Sequence, residues 1–163
     1  MRSLVIGYGN PSRRDDGVGW HVVNGLRRRW GQPALPPLAD GWEDLGGQRD
    51  TLFLQQLTPE LAATVADYDL VVFVDASLRP GQEPVRVGPV VPRYRLAAIS
   101  HHLDPSTLLA LSERLYGRAP RGLLVSIRGH DFDFGEQLSP ETAAAVPLGV
   151  ERVAAIVAER SPS

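Results

Sequence analysis

The chain is expected to fold as a three-layer α/β/α sandwich around a mostly parallel, twisted sheet of about five strands. Three observations carry that expectation. Apolar runs that read as buried strands, Leu4-Val5-Ile6-Gly7, Leu70-Val71-Val72-Phe73-Val74 and Leu123-Leu124-Val125-Ser126-Ile127, alternate with segments of helical periodicity. The length of 163 residues, 43% of them hydrophobic and 22% charged, suits one domain with a sizeable core. No repeat or long linker divides the chain, so residues 1–163 are read as a single domain.

The elements follow in order. Leu4 to Gly7 is a short buried strand that ends in a Gly-rich turn. Val18, Val22, Val23 and Leu26 recur at helical spacing, which predicts a helix from about Gly17 to Arg29 with Asp15 or Asp16 as its cap. Gly31 to Gly47 is rich in Pro and Gly and reads as connection. Thr51 to Leu54 is a second strand. Thr58 and Pro59 then mark the start of a helix, as cap and first helical residue. Leu70 to Val74 forms the strongest strand, closed by Asp75. Alternating Val with Gly and Pro from Pro80 to Pro92 predicts an edge strand or hairpin. Asp104-Pro105 caps a helix through Leu115, and Leu123 to Ile127 is a further strand. Ser139-Pro140-Glu141 opens a helical tail that Pro147 is expected to interrupt.

Composition narrows the chemistry. There is no Cys and no Lys, so all 17 basic residues are Arg. That removes thiol nucleophiles, thiolate metal sites, Schiff bases and the lysine of a phosphate-binding P-loop. A net charge of -2 gives no footprint for nucleic acid or an anionic membrane. Arg13-Arg14 and Arg27-Arg28-Arg29 read as solvated surface. No segment has the character of a signal peptide or a membrane span, so a cytoplasmic protein is expected.

The turn Gly7-Tyr8-Gly9-Asn10-Pro11-Ser12 begins like a dinucleotide fingerprint but carries Ser12 where the third Gly belongs. Asp15 and Asp16 stand before the next helix, where they would repel a phosphate. The same geometry suits another use. Ligands of open α/β sheets bind beyond the carboxyl ends of the strands. The loop with Asp15 and Asp16 leaves one strand there, and Asp75 ends another. His101 and His102, on a loop before a helix, offer an imidazole. Two carboxylates and one imidazole suit a borderline divalent ion such as nickel or zinc. The plainer readings are capping for Asp15 and Asp16, a turn for Asp75 and surface for the two His. Asn10 sits in the tight turn, where it would position a ligand or simply adopt a left-handed backbone. His21 reads as an ordinary, partly buried helical residue, and Gly129 to Phe134 as a solvated loop.

These residues also carry a resemblance. The chain resembles the endopeptidases that mature the large subunit of nickel–iron hydrogenases, over nearly its whole length. The most specific part is Gly7-Tyr8-Gly9-Asn10 followed by Asp15-Asp16-Gly17-Val18-Gly19. Val72-Phe73-Val74-Asp75-Ala76, Ser100-His101-x-Leu103, Gln56-Leu57-Thr58-Pro59-Glu60-Leu61 and Phe134-Gly135-Glu136-x-Leu138-Ser139-Pro140 support it. The resemblance implies an enzyme that cuts a C-terminal extension from the large-subunit precursor once nickel is in place. It implies that Asp16, Asp75 and His101 contact the substrate's nickel, with His102 as the alternative to His101. No permanent cofactor is expected, and zinc or cadmium would substitute for nickel. The expected partner is the precursor, with no nucleic acid, no membrane and a monomeric enzyme.

No Ser lies in a G-x-S-x-G elbow and no H-E-x-x-H element is present, so neither a serine nor a resident-zinc peptidase is expected. The consistent mechanism is aspartyl-type or metal-assisted hydrolysis, with Asp16 or Asp75 taking a proton from water. A carrier that checks nickel without cutting, and a general metal aminopeptidase or amidase, are the competing functions.

Overall fold

The computed structural model of the protein describes residues 1–79, 81, 83–94 and 103–160. In chain order the elements are β1 (Ser3–Tyr8), α1 (Val18–Arg29), β2 (Arg49–Leu54), α2 (Leu61–Val65), β3 (Leu70–Ser77), β4 (Val85–Val90), α3 (Pro105–Tyr116), β5 (Arg121–Arg128) and α4 (Pro140–Arg160). The strands form one five-stranded sheet in the order β2-β1-β3-β5-β4. All neighbours are parallel except β4, which pairs antiparallel with β5 at the edge. The expected α/β architecture is therefore the one observed. The strand order reverses direction between β1 and β3, and the carboxyl ends of those two strands border the crevice where such sheets bind ligands.

Side-chain alternation divides the core into two layers. On one face Val5, Val72, Val74, Val125 and Ile127 meet Val18, Val22 and Leu26 of α1 and Val153 and Val157 of α4. On the other, Leu4, Ile6, Leu52, Val71 and Phe73 meet α2 and α3 through Leu61, Val65, Leu108 and Leu109. Each such burial stabilises the fold by about 1.5–3 kcal/mol. Among the described residues, no helix is long and apolar enough to cross a membrane.

Four local expectations need correction. Neither Asp15 nor Asp16 caps α1, whose N-terminus carries no side-chain cap; a 3-10 turn over Arg14–Gly17 feeds straight into the helix. The helix marked by Thr58 begins later, at Leu61, after a turn in which the Thr58 carbonyl accepts the Leu61 N–H at 3.1 Å. Pro147 does not interrupt α4, which runs unbroken from Pro140 to Arg160. Pro147 and Ala143, four residues earlier, both face solvent, so water can solvate the carbonyl that loses its partner. Finally, Arg27 is not solvated. It is 3% exposed and binds the Pro33 carbonyl at 2.7 Å, Thr51 Oγ1 at 3.2 Å and Asp44 at 2.8 Å. The connection from Gly31 to Gly47 folds back over α1 and supplies Pro33 and Asp44, while Thr51 comes from β2.

Candidate active site

The crevice begins with backbone geometry. Gly7 lies so close to α1 that a Cβ there would sit 2.7 Å from the Gly19 carbonyl oxygen. That approach draws the 3-10 turn over the end of β1. Gly9 has φ +142°, and a Cβ on it would overlap the Asp16 carbonyl oxygen. Replacing Gly9 by Ala is expected to cost at least about 2 kcal/mol in urea unfolding. Gly46→Ala, at φ +123° in open space, serves as the milder control.

Asp16 is half-buried and its carboxylate accepts the Asn10 N–H at 2.7 Å. Asn10 turns its own Oδ1 onto the Ser12 N–H at 2.9 Å, forming a local turn. Its backbone is not left-handed, in contrast to the alternative considered for it; Gly9 takes the positive φ instead. The turn holds Asp16 against the end of β1 with one carboxylate lone pair already engaged.

Asp75 stands near the end of β3, next in sequence to Val74, which pairs in register with Gly7. Tyr8 is therefore its cross-strand neighbour, and the Tyr8 hydroxyl donates to the Asp75 carboxylate. The Ala76 N–H donates to the same carboxylate at 2.8 Å. Burial pushes the Asp75 carboxyl up to about 6; the Ala76 and Tyr8 bonds pull against that, and the nearby charge of Asp16 adds to it. Asp16 and Asp75 thus share one crevice at the β1/β3 switch point. Burial raises the Tyr8 hydroxyl far above its ordinary value, with Asp75, Asp104 and Asp16 adding to the effect, so it remains a proton donor at any physiological pH. Tyr8 was not singled out from the sequence, because only the β1–β3 register shows that it faces Asp75.

Asp104 caps α3, accepting the Thr107 N–H at 2.8 Å, as its sequence position predicts. Its charge acts on Tyr8, so the start of α3 also borders the crevice. The third expected ligand, His101, and its alternative His102 lie outside the described residues. Among the described residues, no three His, Asp or Glu side chains are grouped as a metal site.

Asp15 does something different from its neighbour. It is fully enclosed, and its carboxylate accepts the N–H groups of His130 at 2.7 Å, Asp131 at 2.9 Å and Ser139 at 2.8 Å. It also accepts the hydroxyls of Ser139 at 2.7 Å and Thr142 at 2.9 Å. Burial alone would raise its carboxyl, but these bonds together hold it at about 2. The segment after β5 is therefore not a free solvated loop: it wraps a buried carboxylate at the start of α4, where the helix dipole also favours negative charge. Adjacent acidic residues have split roles, Asp15 fastening the scaffold and Asp16 facing the crevice.

No protein-family model matches the chain, and no curated protein matches it. Solved structures do. The chain is similar to the hydrogenase maturating endopeptidase HybD from E. coli, with a TM-score of 0.71 and 22% identity, covering 98% of this chain and 93% of that one. It is similar to the [NiFe] hydrogenase maturation protease HycI from Thermococcus kodakarensis, with a TM-score of 0.62, 23% identity and coverages of 96% and 92%. A hydrogenase 2 maturation peptidase from a Thaumarchaeota archaeon matches with a TM-score of 0.61, 20% identity and coverages of 96% and 98%. The fold expected from the motif resemblance is the fold found.

Proposed function

We propose that this protein is a hydrogenase maturation endopeptidase. It removes the C-terminal extension of a nickel–iron hydrogenase large-subunit precursor after nickel insertion, and it recognises the nickel that the substrate carries. The observation that carries this reading is the meeting of Asp16 and Asp75 at the switch point, one of them with a carboxyl pushed up to about 6. Three solved structures of the same fold, each an enzyme of hydrogenase maturation, support it.

The chemistry follows from the residues. Nickel is part of the substrate, so the protein needs only a weak, reversible grip on it, and Asp16, Asp75 and His101 are the set we assign to that grip. Zinc or cadmium would stand in for nickel. A carboxylate with its pKa near the working pH is suited to take a proton from the attacking water, and Asp75 fits that description better than a fully solvated acid would. The Tyr8 hydroxyl and the Ala76 N–H fix the orientation of its carboxylate. We place the enzyme in the cytoplasm, acting as a monomer without nucleic acid or membrane.

Purified protein incubated with nickel-loaded precursor should shorten it at the C-terminus, while metal-free precursor stays intact. A stable complex with unchanged precursor mass would favour a non-cutting carrier instead, and turnover of unrelated short peptides a general peptidase. The pH dependence is fixed in sign. Asp75 serves as base only when ionised, so kcat/KM should climb through about pH 6 and level off above it. A profile flat from pH 5 to 8 would remove Asp75 from that role.

A further inference from the structure

The side-chain amide of Asn10 offers a donor that no described residue accepts. Every other polar group of this half-buried residue is committed within its own loop. The N–H donates to Asp16 at 2.7 Å, the carbonyl accepts the Arg13 N–H at 3.1 Å, and Oδ1 accepts the Ser12 N–H at 2.9 Å. Nδ2, on the opposite arm of the same planar amide, is left over. It is not among the side-chain atoms sealed from solvent without a partner, so it stands open to an incoming group.

The turn itself does not call for Asn. Gly9 takes the positive φ at this bend and Asn10 does not, so a left-handed backbone is not the reason for the residue. Asp or Ser would accept the Ser12 N–H in the same way. What Asn adds over either is an uncharged NH2 group. The surroundings give that group a purpose. The crevice is rich in acids: it holds Asp16 and Asp75, and the charge of Asp104 reaches Tyr8 at its border. Its other donors are spent, the Tyr8 hydroxyl and the Ala76 N–H both on Asp75. The two Arg of the loop turn to the segment after β5. Arg13 Nε donates to the Phe132 carbonyl at 3.2 Å, and Arg14 Nε pairs with Asp131 at 3.1 Å. Hydrolysis of a peptide drives negative charge onto the carbonyl oxygen, and a donor already in place stabilises that charge without reorganisation. By covalent geometry Nδ2 lies no more than about 5 Å from its own backbone nitrogen. Asp16 holds that nitrogen, so a peptide placed against Asp16 is within reach of the amide.

We propose that the Asn10 side-chain amide is the oxyanion donor of the reaction, with Nδ2 donating to the scissile carbonyl oxygen. The water oxygen bonds to the carbonyl carbon, a water proton passes to Asp75, and the carbonyl π pair moves onto the oxygen that faces Nδ2. Collapse then breaks the C–N bond, and the proton on Asp75 passes to the leaving nitrogen. This inference rests on the proposed endopeptidase function and gives Asn10 a catalytic part in it.

Asn10→Ser and Asn10→Asp test it, because both keep an oxygen for the Ser12 N–H and lose the amide donor, the first without adding charge. With nickel-loaded precursor, kcat should fall at least about 10²-fold in both, while KM stays within about threefold of wild type. Thermal unfolding and cadmium affinity of Asn10→Ser should match wild type. A folded Asn10→Ser protein with kcat within about threefold of wild type overturns the proposal. A rise in KM alone also overturns it, since the amide would then be a ground-state contact. So does a cadmium affinity that falls in step with kcat, which would mean that Asn10 acts through Asp16. Wild-type protein that leaves nickel-loaded precursor intact overturns the endopeptidase reading and this role together. Wild-type cutting that Asn10→Ser equals overturns the role alone.

Discussion

Asp75→Asn is expected to lower kcat/KM for nickel-loaded precursor by about 10³-fold while making the protein more stable at pH 8. The two effects have one cause. Asn keeps an oxygen for the Tyr8 hydroxyl and the Ala76 N–H, so the local geometry survives, but it can neither take a proton nor carry charge to a metal. Burial raises the Asp75 carboxyl from 3.8 in the unfolded chain to about 6 in the folded one. The folded state therefore holds the proton more tightly, and stability is lost as pH rises from the lower value through the upper. Removing the charge should return on the order of 2 kcal/mol at pH 8 and nothing below about pH 4. Urea unfolding of both proteins across that range checks it. A variant less stable than wild type at pH 8 would show that Asp75 is held for structure and not for chemistry.

Asp15→Ala should do the opposite, damaging the fold first and activity only in consequence. Five donors converge on this carboxylate, from the loop after β5 and the start of α4. Deleting it takes this acceptor from all five, including the buried N–H and hydroxyl of Ser139, while the Thr142 hydroxyl keeps only the Arg128 carbonyl at 3.0 Å, a loss of about 3–5 kcal/mol. That is a large part of a typical domain's stability, and thermal unfolding should move down by about 10 °C or more. The pH signature also has a definite sign. The Asp15 carboxyl lies near 2 in the folded state against 3.8 unfolded, so its contribution is complete above about pH 4 and disappears as pH falls toward 2. Wild type should lose about 2 kcal/mol from this group over that interval, a loss absent in Asp15→Asn. An Asp15→Ala protein within 1 °C of wild type would refute the role given to this residue.

The contrast between these two Asp residues shows what the sequence could and could not tell. Alternating apolar runs, helical periodicities and cap residues located the strands and α-helices of the described residues, α2 to within a few residues, because burial on two faces of a sheet leaves a continuous Val/Leu/Ile signature that survives without knowledge of partners. Asp75 was legible for the same reason: a carboxylate at the end of such a run has little choice but to be partly buried. Asp15 and Asp16 were not distinguishable. Adjacent acids before a helix look like caps, and only the return of the chain after β5, more than 100 residues later, makes Asp15 a fastening point. Arg27 was misread as surface for a similar reason, since its acceptors come from a Pro/Gly-rich connection whose path no local pattern specifies. Pro147 misled in the other direction: local rules break a helix there, and solvent on that face of α4 relieves the constraint.

We propose that Asp16 and Asp75 form, with His101, a site that grips a metal delivered by another polypeptide. The most direct test is a crystal structure of the protein soaked with a cadmium salt, cadmium standing in for the substrate's nickel. One ion is expected at the β1/β3 switch point, coordinated by the carboxylates of Asp16 and Asp75 and by the His101 imidazole. An ion bound only elsewhere, with the Asp16 and Asp75 carboxylates making no contact to it, would rule out a metal grip by this pair.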